Sequence, residues 1–328
     1  MGPSGATGAR PAHAVHVLGG ATMGTLWQAR VSAPADAHLH PLHDGIQACL
    51  DRVVAQMSTW EPASEISRYN RAPAGSWHAL PEPFFGVLAD ALAIADASGG
   101  ACDPTIGPLV EAWGFGPGGD GGHVPAPAAL AAARARVGWQ RVHVDRAGRR
   151  VLQPGGVALD LSGIAKGHGV DAACDWLRAQ GVPAALVEVG GELRGYGRKP
   201  DGGAWTVLAE SSPADDDGAG APCVLRLDDA AVATSGDRWH RFVHDGAVYS
   251  HTLDPRTGAP VADAAAAVTV VAGRALEADA WATALTVLGA EAGFALAQAR
   301  GLAARFVVRR PRGAEARCTD AFARFVAA

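Results

Sequence analysis

The most informative stretch of the chain is residues 158–171, with the sequence ALDLSGIAKGHGVD. An apolar strand ends here in an acid, Asp160, and two glycines follow before a predicted helix. Gly163 and Gly167 allow a ligand to approach the backbone, and Lys166 places a cation where a helix N-terminus attracts anions. The pattern favours a phosphorylated ligand, although a strand-to-helix turn can need glycines for geometric reasons alone. The phosphate motifs G-x-x-x-x-G-K-S/T and G-x-G-x-x-G are both missing from this stretch.

Composition indicates a globular protein. The chain has 328 residues, of which 48% are hydrophobic, enough for one large domain or two closely packed ones. The net charge is −5 and the basic residues are scattered, which argues against a nucleic-acid partner. The five cysteines are odd in number and contain no C-x-x-C, so we expect free thiols rather than disulfides or a zinc site.

The N-terminal residues resemble no secretory signal, because they hold no apolar run of sufficient length. No apolar stretch matches the span of a bilayer either, so we expect no transmembrane segment. These features predict a cytoplasmic protein, or a periplasmic one if a leader was removed. We expect residues 1–12 to be a disordered lead-in and residues 13–328 to form one domain, with a subdivision near residue 140.

Helices and strands are interleaved without a regular βαβ repeat, which predicts an α+β fold with mixed sheets and flanking helices. We expect the active site in a cleft between two closely packed subdomains. The predicted strands include residues 15–18, 26–31, 268–271 and 304–308. The predicted helices are residues 46–57, 84–97, 106–113, 128–137, 169–180, 276–288 and 291–300. The Asp245-Gly246 dipeptide between apolar pairs predicts a β-hairpin.

Asp279 and Thr283 lie four residues apart in a predicted helix, so their side chains project one turn apart on the same face. Such a pair of oxygens suits a hard cation such as Mg²⁺. In the structural alternative, Asp279 complements the helix dipole and Thr283 bonds back to the carbonyl of residue 279. The two residues alone leave both interpretations open.

His251 follows a predicted strand and precedes an Asp254-Pro255 turn. Because imidazole titrates near neutral pH, His251 is the best candidate for a general base among the 12 histidines. A histidine at the end of a strand is also commonly structural.

Three loop segments offer further ligand contacts. Ala101, Cys102 and Asp103 place backbone and a carboxylate near a tryptophan, although Asp-Pro is also an ordinary helix start. Met23 and Trp60 can enclose a flat ring or pack in the core.

Taken in order, these segments resemble the ApbE-type flavin transferase family, FAD:protein FMN transferase, from about Gly19 to Val308. The matching motifs are Met23 to Thr25, Met57 to Trp60, Asp103 to Leu109, Trp113 to Pro117, Asp160 to Gly167, Ala231 to Asp237, Ser250 to Gly258 and Glu277 to Leu285. Three positions depart from the family pattern: Trp60 replaces tyrosine, Ser162 replaces a frequent glycine and Glu192 replaces a frequent aspartate.

The resemblance implies an α+β fold, FAD as the substrate and Mg²⁺ as the cofactor. It implies that the metal is held by the Asp279 carboxylate, the Thr283 hydroxyl and the backbone carbonyl near Gly163. The residues that it implies in FAD binding are Met23, Trp60, Ala101, Cys102, Asp103, Asp160, Lys166 and Ser250. FMN would pass from FAD to a threonine or serine hydroxyl of a partner protein, such as a redox-pump or reductase subunit, with release of AMP. His251 would accept the proton of that hydroxyl.

Two other functions stay open at this point. An FAD pyrophosphatase would use water in place of the hydroxyl and give FMN and AMP. A non-catalytic FAD-binding protein is the other, and the presence of Asp279, Thr283 and His251 argues against it. The sequence does not separate the transferase from the pyrophosphatase.

Overall fold

The computed structural model describes residues 12–209, 223–236, 241–244, 246–261, 267–310 and 313–327. The expected disordered lead-in therefore lies outside the described residues, apart from residue 12. Asp237 and Asp245, which belong to sequence motifs discussed above, are also outside them.

The described elements follow one another along the chain without a repeated βαβ unit. In chain order they are β1 (His13–Thr22), β2 (Thr25–Pro34), α1 (His40–Met57), α2 (Glu65–Asn70), β3 (Trp77–Ala79), α3 (Glu82–Ala97), α4 (Gly107–Ala112), α5 (Pro127–Arg134), β4 (His143–Asp145), β5 (Arg150–Leu152), α6 (Ala165–Ala179), β6 (Ala185–Val189), β7 (Glu192–Tyr196), β8 (Trp205–Ala209), β9 (Cys223–Leu227), β10 (Ala230–Gly236), β11 (Arg241–His244), β12 (Ala247–Ser250), β13 (Leu253–Asp254), β14 (Ala259–Pro260), β15 (Ala267–Ala272), α7 (Ala275–Ala299), β16 (Ala303–Arg310) and β17 (Gly313–Cys318). Short 3-10 helices span Trp139–Arg141 and Asp320–Phe325.

An eight-stranded sheet forms the centre of the fold, in the order β1-β2-β6-β7-β10-β15-β16-β17. Every neighbouring pair in it is antiparallel. The helices are therefore insertions between antiparallel strands and not the crossovers of a parallel sheet. The predicted α+β class is confirmed.

Both faces of this sheet are covered. Because successive side chains of a strand point to opposite faces, Ala233 and Val270 pack in the helical layer, whereas Val232 and Val271 pack on the other side. The second layer is the β8–β9 hairpin with the C-terminal 3-10 helix, which buries Phe322. One face of the sheet thus packs against α6 and α7.

The β1–β2 hairpin is longer than the sequence predicts. Its strands are paired from His13↔Pro34 to Thr22↔Thr25, which leaves only Met23 and Gly24 in the turn. Both turn residues have positive φ, 48° and 70°, as the tight turns of right-twisted hairpins require. The predicted β11–β12 hairpin is also present.

The helix α7 covers the two helices predicted over residues 276–288 and 291–300, with a break at Gly289 where φ is 79°. By length and composition it is the one helix in the described ranges that could cross a membrane. The sequence analysis predicted no transmembrane segment. Half of its most apolar 18-residue stretch is buried inside the protein. Its alanines and Leu285 pack against the sheet, as in the core helix of a globular fold.

Candidate functional site

The first turn of α6 touches the start of α7. The helix begins at Ala165, four residues before the predicted start at 169, so Lys166 and Gly167 are helical. A Cβ on Gly167 would lie 2.3 Å from the carbonyl oxygen of Ala275, so glycine is what permits this contact. The backbone N–H of Gly167 donates a 3.0 Å hydrogen bond to Asp279 Oδ2. Two segments of sequence far apart in the chain are thereby joined.

A second contact fixes the N-terminus of α7. The carboxylate of Asp171, on α6, accepts hydrogen bonds of 3.0 Å from the backbone N–H groups of Ala275 and Leu276. Arg194, on β7, donates to the same carboxylate at 2.8 Å. A carboxylate at this position satisfies two unpaired donors and favours the helix dipole. The helix that carries Asp279 and Thr283 is therefore held at its beginning.

The predicted metal ligands lie next to one another. Asp279 is 5% exposed, and Thr283 follows one turn later on α7. A Cβ on Gly163 would lie 3.2 Å from Thr283 Oγ1, so the backbone of Gly163 passes beside this hydroxyl. A carboxylate, a hydroxyl and a backbone carbonyl are the hard oxygen donors that Mg²⁺ and Ca²⁺ select.

The structural alternative for this pair fits less well. Asp279 is the fifth residue of α7, whereas the helix N-terminus is already capped by Asp171. The hydroxyl of Thr283 makes no hydrogen bond to the carbonyl of residue 279 or to any other group in the described part of the chain, whereas the hydroxyl of Thr286 does bond back to Ala282. The two side chains are thus not used to stabilise α7 itself, although Asp279 Oδ2 accepts the N–H of Gly167 from α6. No group of three or more His, Cys, Asp or Glu side chains is gathered within the described ranges.

The ammonium of Lys166 bonds to one buried carboxylate, Glu192, and interacts electrostatically with a second, Asp279. Lys166 Nζ donates to Glu192 Oε1 at 2.6 Å, and Glu192 is 3% exposed. Burial raises the pKa of Asp279, and Lys166 and the Gly167 N–H only partly oppose this. Burial and the charge of Asp279 raise the pKa of Glu192 to about 8, despite the nearby Lys166. Burial lowers the pKa of Lys166, but the two carboxylates outweigh it and raise that pKa.

These two carboxyl groups are costly to ionise in the protein, and a bound cation would favour their ionised forms. A buried carboxylate is costly unless it is paired and hydrogen-bonded. Glu192 Oε2 is buried and has no hydrogen-bond partner among the described residues. The residues present therefore fit a divalent cation held by Asp279, Thr283 and Gly163.

The segment Ala101 to Asp103 borders the same carboxylates. Burial and then the charges of Asp279 and Asp103 raise the pKa of the Cys102 thiol to about 12. Cys102 is therefore an unreactive thiol close to Asp279.

Asp103 holds its loop in shape. Its Oδ1 accepts hydrogen bonds from the N–H and the hydroxyl of Thr105, at 2.8 and 2.7 Å, and its Oδ2 accepts one from Trp139 N at 3.0 Å. Burial raises the pKa of Asp103, although these hydrogen bonds act against it. The carboxylate predicted to contact FAD is thus engaged inside the protein.

Asp160 joins this loop to the stretch that precedes α6. Its backbone N–H donates to the carbonyl of Pro104 at 2.8 Å, and its Oδ1 accepts from Ser162 N at 2.8 Å. A bridge between Ile106 and Ala158 continues the contact. The structure thus brings the 101–103 loop and Asp160 together beside Gly163.

Met23 and Trp60 come from two different elements. The Met23 Cε atom lies 3.1 Å from the position that a Cβ on Gly169 would occupy, so Met23 packs on α6 just after Lys166. Trp60 lies in the turn after α1 and is 65% exposed, which leaves its ring accessible to a ligand. Both positions are compatible with ligand contacts. The exposure of Trp60 excludes a place for it in the core.

Ser250 and His251 lie at the end of β12, a region that packs on Trp113. Tyr249 and Trp113 have ring centroids 5.7 Å apart, and Leu253 belongs to the same apolar cluster. Ser250 is 7% exposed, and its hydroxyl accepts a 3.1 Å hydrogen bond from Thr252 N. His251, which lies between Ser250 and Thr252 in the chain, is half-buried.

Comparison with known proteins decides the family. The model of the ApbE family matches residues 23–306. The chain belongs to the ApbE family. It is 35% identical to the FAD:protein FMN transferase of Vibrio cholerae over 318 residues, covering 97% of this chain and 94% of the relative. The Klebsiella pneumoniae enzyme of the same name is also 35% identical, with 94% and 89% covered.

Solved structures agree with this family assignment. The apo form of the flavinyl transferase ApbE from Pseudomonas stutzeri superposes with a TM-score of 0.88 and 39% identity, covering 96% of this chain and 98% of that one. The flavin transferase ApbE from Vibrio cholerae gives a TM-score of 0.87 and 33% identity, covering 95% and 99%. The predictions of the ApbE family, of its α+β fold and of an enzyme of the flavin transferase type are confirmed.

Sequence reasoning passed over three residues that shape this ApbE-family site. Glu192 was noted only as a departure from the family pattern, and Asp171 and Arg194 were not considered. The sequence does hold a pattern that could have indicated Glu192. This acid follows a mostly apolar strand, residues 185–189, and two glycines, and an acid buried at such a position needs a hydrogen-bonded or charged partner. Nothing local indicates that Asp171 caps a helix that begins 104 residues later.

Proposed function

We propose that this chain transfers FMN from FAD to a threonine or serine hydroxyl of a protein acceptor and releases AMP, in a reaction that requires Mg²⁺. The observation that carries the proposal is the meeting of Asp279, Thr283 and the Gly163 backbone beside Lys166. The curated relatives named FAD:protein FMN transferase support the same reaction.

In this reaction the acceptor oxygen forms a bond to the phosphorus of the FMN half of FAD. The bond from that phosphorus to the bridging oxygen breaks, and AMP leaves with this oxygen. Such phosphoryl transfers depend on positioning and charge neutralisation more than on covalent help from the protein. Bound Mg²⁺ would supply that neutralisation at the phosphoryl oxygens.

Residues of this chain would take the remaining roles. Asp279, Thr283 and the Gly163 carbonyl would hold the cation, and Lys166 in the first turn of α6 would add positive charge to the phosphates. His251 would accept the proton from the acceptor hydroxyl.

The substrate would be positioned by elements around this centre. Met23 and Trp60 would enclose the flavin ring, as a thioether and an aromatic face can do. Ala101, Cys102, Asp103, Asp160 and Ser250 would line the rest of the FAD site. Asp103 and Asp160 would do so mainly through the loop backbone that their carboxylates shape.

The decisive experiment incubates the purified chain with FAD, Mg²⁺ and a candidate acceptor domain. We expect flavin fluorescence on the denatured acceptor and AMP in equal amount. An acceptor with its modified threonine changed to valine, and a reaction with EDTA, are the controls. AMP without labelled acceptor would identify an FAD pyrophosphatase, and no AMP at all would refute both activities.

A further inference from the structure

Two neighbouring positions of β7 reach α6 from the same face of the strand. Glu192 binds Lys166 at 2.6 Å, and Arg194, two residues later, binds Asp171 at 2.8 Å. The Arg194 pair serves the cap of α7, because Asp171 accepts two N–H groups of that helix. The Glu192 pair has no such task in the fold.

The ammonium of Lys166 has a defined path. The Cδ atom of Lys166 lies 3.5 Å from the position of a Cβ on Gly190, so its stem runs along the β6–β7 turn before it reaches Glu192. A lysine side chain loses much conformational entropy when it is ordered. The ammonium therefore keeps one position only if its partner is itself held in place by the fold. Glu192 meets this condition, since it is buried on a central strand of the sheet.

We propose that Glu192 is a positioning residue that acts through Lys166, holding the ammonium at the first turn of α6 so that it meets the phosphates of FAD. This inference rests on the proposed function and adds to it a residue outside the FAD and metal contacts. The role explains why a carboxylate is buried at this position of β7, where an apolar side chain of similar volume would stabilise the fold equally well. The direct contact agrees with this role, because Glu192 Oε1 accepts its hydrogen bond from the Lys166 ammonium.

A double-mutant cycle on FAD binding tests the proposal. The variants are Glu192→Gln, Lys166→Met and the combination, with the dissociation constant of FAD measured by calorimetry in the presence of Mg²⁺. Each single change should weaken FAD binding about tenfold, as expected for one weakened contact to a charged group. Because Glu192 acts through Lys166, the double variant should bind no more weakly than Lys166→Met alone.

Two further variants make the readout specific. Glu192→Asp keeps the charge and should bind FAD more tightly than Glu192→Gln does. Glu188→Gln is the matched control, because Glu188 pairs with Leu193 and lies on the opposite face of the same hairpin, where it should leave FAD binding unchanged. Melting temperatures verify that each variant is folded. If Glu192→Gln does not fold, Glu192→Met takes its place in the cycle with Lys166→Met, because it removes the carboxylate and keeps a similar volume.

The outcomes separate this proposal from the proposed function. If the unmodified chain binds FAD and the two substitutions are additive, Glu192 does not act through Lys166 and the inference is overturned while FAD binding stands. If the unmodified chain does not bind FAD, the proposed function fails and the role of Glu192 fails with it. A double variant equal to Lys166→Met supports the inference.

Discussion

The backbone N–H of Gly167 donates a hydrogen bond to Asp279 Oδ2 across 3.0 Å, and the two residues are 112 positions apart in the chain. This contact joins the first turn of α6 to the helix that carries the predicted metal ligands. It depends on the close approach of two helix backbones, which only a glycine at position 167 permits. The geometry of the site is therefore set by helix packing.

Gly167→Ala should weaken the protein by about 1–3 kcal/mol, because the added methyl group would overlap the carbonyl of Ala275 and push α6 from α7. Urea unfolding measures the change. Gly86→Ala is the matched control, because a Cβ at that helical position would meet no atom within 4 Å. The control should stabilise the protein by up to about 1 kcal/mol through helix propensity. Equal effects of the two substitutions would contradict the packing argument.

Asp279→Ala should abolish turnover, with a loss of at least about 100-fold, because a bound metal ion contributes several kcal/mol to such a transition state. The fold should be largely preserved, since burial raises the pKa of this carboxyl and the substitution removes a group that is costly to ionise there. AMP release and the shift of melting temperature caused by Mg²⁺ are the measurements. Retention of the Mg²⁺-induced shift would remove Asp279 from the metal site.

Thr283→Val should raise the Mg²⁺ concentration needed for half-maximal activity about tenfold or more, as loss of a group that supports a metal commonly does. Thr283→Ser should restore most of the affinity, because it keeps the hydroxyl. Thr286→Val is the matched control: this residue lies on the same helix but bonds back to Ala282. It should cost about 1 kcal/mol of stability and leave the Mg²⁺ requirement unchanged. A normal Mg²⁺ requirement in Thr283→Val would exclude its hydroxyl as a ligand.

Stability of the metal-free protein should fall as the pH rises from about 5 to about 8. The pKa of Glu192 is about 8 in the folded protein against 4.5 for the ordinary group, because it is buried near Asp279. Between these values the folded chain holds more protons than the unfolded chain, so the free energy of unfolding decreases with pH. Wild type should lose roughly 3–4 kcal/mol more than Glu192→Gln over this range.

Urea unfolding in EDTA near both ends of the pH range measures this difference. Added Mg²⁺ should reduce the loss in wild type, because a cation favours the ionised carboxylates. Parallel pH profiles for the wild type and Glu192→Gln in EDTA would show that this carboxyl titrates normally.

His251→Ala should reduce the rate of FMN transfer by about 100-fold or more, the usual contribution of a general base. FAD binding should change much less, because the proton that His251 would accept belongs to the acceptor protein. Single-turnover transfer and calorimetric FAD titration measure the two effects separately. An equal loss of transfer and binding would make His251 a ligand contact only.

Local sequence patterns predicted much of the fold. Amphipathic spacing indicated most helices, and β-branched runs indicated the strands at 15–18 and 268–271, because these signals arise from which side chains must be buried. Boundaries were less accurate. The start of α6 was placed after Lys166 and Gly167, because glycine disfavours helix locally and only the packing against α7 shows why it is helical here.

The candidate site followed from the sequence in a different way. Asp279 and Thr283 were identified by their helical spacing, and the motif order supplied the other residues through the family resemblance. The sequence did not indicate Glu192, Asp171 and Arg194, because these residues act through contacts between β7, α6 and α7. Sequence spacing cannot show an ion pair between elements that are distant in the chain.

The sequence alone determined the family and the α+β class, and it predicted a site for a phosphorylated substrate and a metal ion. These follow from side-chain chemistry and local periodicity, which every segment carries in itself. The tertiary structure decided that Asp103 holds its own loop, that Asp171 caps α7 and that Glu192 binds the ammonium of Lys166. It did so because hydrogen-bond partners and burial depend on how distant segments pack, and these determine which carboxylates remain for a cation.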